Sequence, residues 1–156
     1  MNIALAIIAA FLLLSLGLGS LLGFERFLVR KPAGLRTVTL VCVGSCLMMI
    51  LAERLQATMS TPIDPTRLAQ VIITGVGFLG AGTILHHQKD VYGLTTAAVI
   101  WVAAAVGMAA GAGMVDVAVW GTAVALIILQ IYGRLEFWMR KKNIRASDYK
   151  MTGTPE

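Results

Sequence analysis

Charge is what this sequence has least of. Asp, Glu, Lys and Arg make up 13% of its 156 residues, about half the share that keeps a soluble domain wetted, so an ordinary water-soluble fold is excluded. The apolar share, 58%, excludes disorder, which requires few hydrophobic residues. A multidomain enzyme is excluded as well, because one membrane bundle uses nearly all of the length. Cysteine is scarce too. Cys42 and Cys46 stand four apart in an apolar run, with only Thr39 and Ser45 as polar neighbours; they read as buried, reduced packing residues rather than as metal ligands. A formal charge of +5 would point to nucleic acid if the basic residues formed a stripe, but they sit between long uncharged runs, as loop charges between membrane spans do.

Broken at its charges, the chain yields five apolar segments, Ile3–Phe24, Thr37–Ala52, Leu68–Leu85, Leu94–Gly113 and Val117–Tyr132. A helix needs about 20 residues to cross roughly 30 Å of hydrocarbon. The first, third and fourth segments meet that length. The second and fifth are short and draw on flanking residues, giving spans over about 3–24, 35–52, 66–86, 94–113 and 115–134. The expected fold is an all-α membrane protein, five helices in a compact bundle over residues 1–135, followed by a basic cytoplasmic tail over 136–156. Only Met1 and Asn2 precede the first span, which lacks the basic leader of a signal peptide and reads as a true span.

Eleven of the thirteen Lys and Arg residues fall on alternate connections: Arg26 to Arg36 after the first span, Lys89 after the third, and Arg134 to Lys150 after the fifth. Positively charged connections stay in the cytoplasm. The N-terminus is therefore expected outside and the C-terminus inside, as an odd number of spans requires.

Small residues mark three spans. Ser15, Gly19 and Gly23 form a ladder at a spacing of four, and Ala103, Gly107 and Gly111 form another. Gly75, Gly77, Gly80 and Gly82 crowd the third span; without a preceding strand or a lysine they are not a phosphate loop. They either admit a neighbouring helix closely or permit a bend that lines a path. Faces of this kind suit a tight bundle or a homo-oligomer, since lipid gives Leu-rich faces no net reason to associate.

The polar residues of interest lie at span ends. Asp64-Pro65-Thr66-Arg67 matches a helix start, with Asp as N-cap and Pro at the first helical position; alternatively Asp64 and Arg67 pair with other helices at the external face. Thr95 and Thr96 follow Gly93 either as caps or as polar linings of a cytoplasmic cleft. Glu25, Arg26, Arg30, Lys31 and Arg36 crowd the first connection, where Pro32 and Gly34 supply a turn. Glu25 and Arg36 are each the first charge beyond an apolar span, and a pair between them would tie the first two helices or form a proton- or partner-sensing site. His86 and His87, adjacent and differently directed, read as interfacial histidines at the end of the third span.

Three blocks, GFERFLVRKPAGLRT (23–37), DPTRLAQVIITGVGFLGAGTIL (64–85) and YGLTTAAVIWVAAAVGMAAGAG (92–113), resemble the membrane domain of the bacterial MgtC/SapB family in order and spacing. The resemblance implies a multi-pass inner-membrane protein of about five helices, linked to magnesium limitation, acid stress and survival inside host phagocytes. It further implies a regulator acting through other membrane proteins, the F-type ATP synthase among them, although such proteins were first named for magnesium transport. By position, the family's polar residues fall on Glu25, Arg26, Arg36, Thr37, Asp64, Arg67, Thr95 and Thr96, and its glycines include Gly34, Gly75, Gly77, Gly80, Gly82 and Gly93. Val38 stands where many members carry His, and the chain is expected to lack the cytoplasmic ACT-type domain that many members add.

Two functions follow as expectations: a regulatory module working by helix contact, or a small carrier or channel for Mg²⁺ or protons. Magnesium wants oxygen ligands, and no Asp or Glu lies deep in a predicted span; Gln70, Thr74 and Thr83 are the main polar groups of the third. No nucleophile stands with a base or metal constellation, so neither an enzyme nor a cofactor or metal centre is expected. The orientation is checked by labelling: with Cys42 and Cys46 replaced, a cysteine at Thr61 is expected to react with an impermeant reagent from outside, and reaction only from the cytoplasm would reverse the topology.

Overall fold

The computed structural model describes residues 2–58, 64–87 and 90–152. The order of elements is α1 (Asn2–Leu28), α2 (Leu35–Thr58), α3 (Pro65–Ala81), β1 (Leu85–His87), β2 (Asp90–Tyr92), α4 (Leu94–Gly111) and α5 (Val115–Thr152). The α2–α3 connection at 59–63, with Thr61, lies outside the described residues. Four helical stretches are long and apolar enough to cross a membrane, Ile3–Leu28, Leu35–Thr58, Leu94–Gly111 and Val115–Leu135, and Arg67–Ala81 is a shorter apolar helix.

The expected lengths are redistributed. α2 is not short: it runs for 24 residues, through Glu53 and Arg54 to Thr58. A charge ends the hydrocarbon-facing stretch of a helix, not the helix, and Glu and Arg are good helix formers. The short one is α3, whose 17 residues span about 25 Å at 1.5 Å per residue. It starts at Pro65, where the Arg67 N–H donates to the Asp64 carbonyl at 3.1 Å. It stops at Ala81, where successive N–H groups of Gly82, Thr83 and Ile84 bond back to Phe78, Gly80 and Ala81 and the Thr83 hydroxyl donates to the Gly80 carbonyl at 2.8 Å.

The third span therefore does not reach residue 86. His86 and His87 lie on β1 instead of a helix end, in an antiparallel pairing that sets Leu85 opposite Tyr92, His86 opposite Val91 and His87 opposite Asp90. Gly93 closes this hairpin with φ 91°. Any Cβ there would overlap the Thr83 carbonyl oxygen, so both conformation and space demand glycine.

The chain divides into two compact units, residues 1–125 and 126–156. The second consists of the remaining part of α5, with Ile127, Ile131, Tyr132 and Trp138 exposed. In the first, α2 packs on α1, α3 and α4, and α4 packs on α1 and α3 as well. Glycine decides how near they come. A Cβ at Gly19 would lie 2.7 Å from the Cys42 Cβ, one at Gly23 2.8 Å from the Leu35 Cα, and one at Gly111 2.5 Å from the Cys46 carbonyl oxygen; at Gly107 it would overlap the Cys42 carbonyl. α2 is thus held between the Ser15-Gly19-Gly23 ladder of α1 and the Ala103-Gly107-Gly111 ladder of α4. Cys42 and Cys46, free and buried, fill the space between them, and the Cys46 thiol donates to the Phe11 carbonyl at 3.6 Å.

These clearances predict opposite effects of one added methyl. Gly107→Ala is expected to lower unfolding stability in detergent by about 1–3 kcal/mol, the usual cost of overpacking. Gly77→Ala, with no atom within 4 Å of the new Cβ, is expected to leave stability unchanged or raise it by up to about 1 kcal/mol through helix propensity. Equal thermal midpoints for Gly107→Ala and wild type would contradict the packing.

Candidate functional site

Six of the eight polar candidates converge on one end of the bundle. α1 ends at Leu28 and α2 begins at Leu35, with Gly23 against the Leu35 backbone. Ala33 of the intervening turn shares a buried cluster with Val76 of α3 and with Ile100 and Ala104 of α4, against which Val41 and Ile72 pack. Gly80, near the end of α3, faces Ala97 near the start of α4, its Cβ position 3.5 Å from that of Ala97. Glu25, Arg26, Arg36, Thr37, Thr95 and Thr96 therefore share this end. Asp64 and Arg67, at the start of α3, stand about 20–24 Å away along the helix axis.

The pairing at this end differs from the expected tie. Glu25 bonds its own neighbour: Arg26 Nη2 donates to Glu25 Oε1 at 2.7 Å, and Arg26 Nε donates to Glu25 Oε2. Arg36 is exposed and forms no ion pair among the described residues. The geometry explains why: Arg26 continues the Ser15-Gly19-Gly23 face at helical spacing, so it turns inward and is 4% exposed. A carboxylate is needed there, and Glu25 supplies it from the next position. Arg36 lies on the outer side of the first turn of α2, whose inward residue is the fully buried Val38.

The hydroxyls divide likewise. Thr37 and Thr95 are exposed, and Thr96 is 2% exposed. Neither threonine caps α4, since the N-cap is Gly93 and no side-chain cap bond is made. Ser20 and Thr39, neither taken as a site residue from the sequence, join α1 to α2 through their hydroxyls at 3.3 Å; they are two of five hydroxyl residues on the first two apolar segments, and only the packing of α1 on α2 shows which of them meet. α3 runs unbroken through Gly75, Gly77 and Gly80. Only Gly80 has a neighbour on another helix, while a Cβ at Gly75 or Gly77 meets nothing within 4 Å and one at Gly82 meets only carbonyls of α3.

Arg30 is the strained residue of this end. It has φ 52°, its N–H bonds to the Phe27 carbonyl, and the next N–H, of Lys31, reaches the Arg26 carbonyl at 3.1 Å. This closing turn normally places glycine where Arg30 stands. Gly113, with φ 72°, occupies the equivalent place after α4, where Gly113 and Met114 bond to Ala110 and Ala109.

Comparison with known proteins gives a family model, described as the MgtC family, matching residues 12–138. A protein of Haemophilus influenzae is 41% identical over 145 residues, covering 89% of this chain and 61% of that protein. The "Putative magnesium transporter YhiD" of Escherichia coli K12 is 42% identical over 126 residues, 78% of this chain and 59% of its own length. Protein MgtC of Brucella abortus is 46% identical over 99 residues, 64% of this chain and 40% of its own. The chain thus spans about three fifths or less of these relatives. No solved structure matches.

The geometry predicts a specific pattern of coupling. Glu25→Gln is expected to cost about 3 kcal/mol, the low end for breaking a buried pair because Glu25 keeps some solvent contact. Adding Arg26→Gln should restore part of that loss, whereas adding Arg36→Gln should leave it unchanged. Restoration by Arg36→Gln in chemical or thermal unfolding would show that Arg36 is the partner after all.

Proposed function

The chain belongs to the MgtC family and is a multi-pass protein of the bacterial inner membrane, and from that premise we propose that it regulates other membrane proteins by direct helix contact. The conditions are those of the family resemblance: magnesium limitation, acid stress or survival in a host cell. The partner is a second copy of the chain or a larger membrane complex such as the F-type ATP synthase, the N-terminus lies outside, and no reaction is catalysed. One observation carries this reading. Gly19 and Gly23 of α1 and Gly107 and Gly111 of α4 are used up against α2, while Gly75 and Gly77 of α3, like the single Gly17 of α1 and Gly44 of α2, meet nothing within 4 Å among the described residues; the α3 pair lies beside the exposed Val71 and Phe78. A helix face of low relief is what membrane helices use to approach one another.

The magnesium-transporter name of the Escherichia coli relative favours a second reading, a small carrier or channel. Against it stands the filled contact between α2 and its two glycine ladders. The Thr74 hydroxyl, moreover, donates to the Gln70 carbonyl of its own helix at 2.7 Å, and the continuous α3 opens no row of carbonyls to replace the waters of Mg²⁺.

Crosslinking in native membranes followed by mass spectrometry separates the two. A reproducible partner is expected, lost on Gly77→Leu without a fall in thermal stability, since no atom of the described residues lies within 4 Å of a Cβ there. Magnesium flux through liposomes holding only the purified chain, above that of protein-free liposomes, would overturn the regulatory reading.

A further inference from the structure

We propose that the end of the bundle built on Arg26 is a binding site for a phosphoryl anion, supplied as the headgroup of an anionic lipid or as free phosphate. A guanidinium carries five N–H donors in a planar fork. Glu25 accepts from Nε and Nη2 along one edge. Nη1, on the other side of the fork, is buried and has no acceptor among the described residues. A charged donor left in this state is costly to the fold, and an acceptor from outside the chain removes that cost.

The surrounding charge indicates what kind of acceptor. Glu25 cancels Arg26, but Arg30, Lys31 and Arg36 remain exposed and form no ion pair among the described residues, so an anion is favoured over a neutral carbonyl. The turn that holds them is tied to Arg26 itself, through the Lys31 N–H on the Arg26 carbonyl at 3.1 Å. It also keeps Arg30 in a left-handed conformation, φ 52°, which glycine would adopt without strain. Guanidinium groups take phosphate oxygens in paired, charge-assisted bonds. Depth agrees: the uncharged part of α1 ends at Phe24, so Glu25 and Arg26 begin where hydrocarbon gives way to headgroups. Because Nη1 is covered, engagement turns the guanidinium toward the surface, where Glu25 already lies, 13% exposed against 5% for Arg26.

The test uses the full chain in phosphorus-free maltoside micelles, titrated separately with dioctanoyl phosphatidylglycerol, dioctanoylglycerol and sodium phosphate. Hydrogen exchange of residues 25–37 is the readout. Phosphatidylglycerol is expected to slow exchange there and dioctanoylglycerol to have no effect; protection by sodium phosphate as well would assign the site to the free ion. Arg26→Lys keeps the charge but removes the fork, and is expected to weaken the ligand about tenfold or more. Arg30→Gly, at a position that favours glycine, folds and reports the contribution of surface charge alone. Equal protection by dioctanoylglycerol, or protection kept in Arg26→Lys and lost in Arg30→Gly, would overturn the proposal. Should Arg26→Lys not fold, the guanidinium ¹⁵N resonances of the wild-type chain decide: a buried arginine signal that moves on adding phosphatidylglycerol supports the site, and one that stays in place contradicts it.

Discussion

Within a bilayer the hydrophobic effect does not draw one helix onto another, so backbone contact through small residues must supply the attraction. Here that contact is concentrated on α2. Gly19 and Gly23 bring α1 onto it from one direction, and Gly107 and Gly111 bring α4 from another. Everything else in the first unit is placed by this arrangement. α4 becomes the most enclosed helix, with Ala103, Ala104 and Ala110 fully buried, and α3 is left on the outside, touching the rest mainly through Gly80, Val76 and Ile72.

The same face explains the polar end. Following Ser15, Gly19 and Gly23 one more turn along α1 leads to Arg26, so the spacing that makes the helices fit also drives a cation inward. Glu25 answers the charge but not all of the donors, and the turn beyond it tolerates a left-handed arginine where glycine would be easier. Strain and an unspent donor at one place are features that packing alone does not require, and they are characteristic of functional sites. Asp64 and Arg67, far along α3, belong to a different part of the molecule.

Much of the fold was legible because its signals are additive over long windows: apolar runs for the helices, fourfold spacing of small residues for the two ladders, Asp-Pro for the start of α3. Charges were a poor guide to helix ends, since Glu53 and Arg54 extend α2 instead of stopping it. The end of α3 was hidden because Gly82, Thr83, Ile84 and Leu85 carry no charge and could continue a span, and only backbone pairing shows that Leu85–His87 is a strand. Glu25–Arg36 was a reasonable pair by position along the chain, but it depended on which way each side chain turns on its helix. That direction followed from the glycine ladder, whereas the difference between Gly80 and its fellows Gly75 and Gly77 rests on the approach of Ala97 of α4. Gly75 and Gly77 meet nothing within 4 Å among the described residues, and the surface proposed to cover them is not written in one chain.

The central claim is that α2 and α4 touch backbone to backbone at Gly107. Solid-state NMR on the chain in lipid bilayers, with ¹³C at cysteine carbonyl and glycine α carbons, measures this contact directly. The account predicts a cross-peak between the Cys42 carbonyl carbon and the Gly107 α carbon at short mixing times, together with one between Cys46 and Gly111. Absence of both, with the intrahelical Cys42–Gly44 signal two residues apart present, would mean that side chains separate the two helices and that the bundle is held together in some other way.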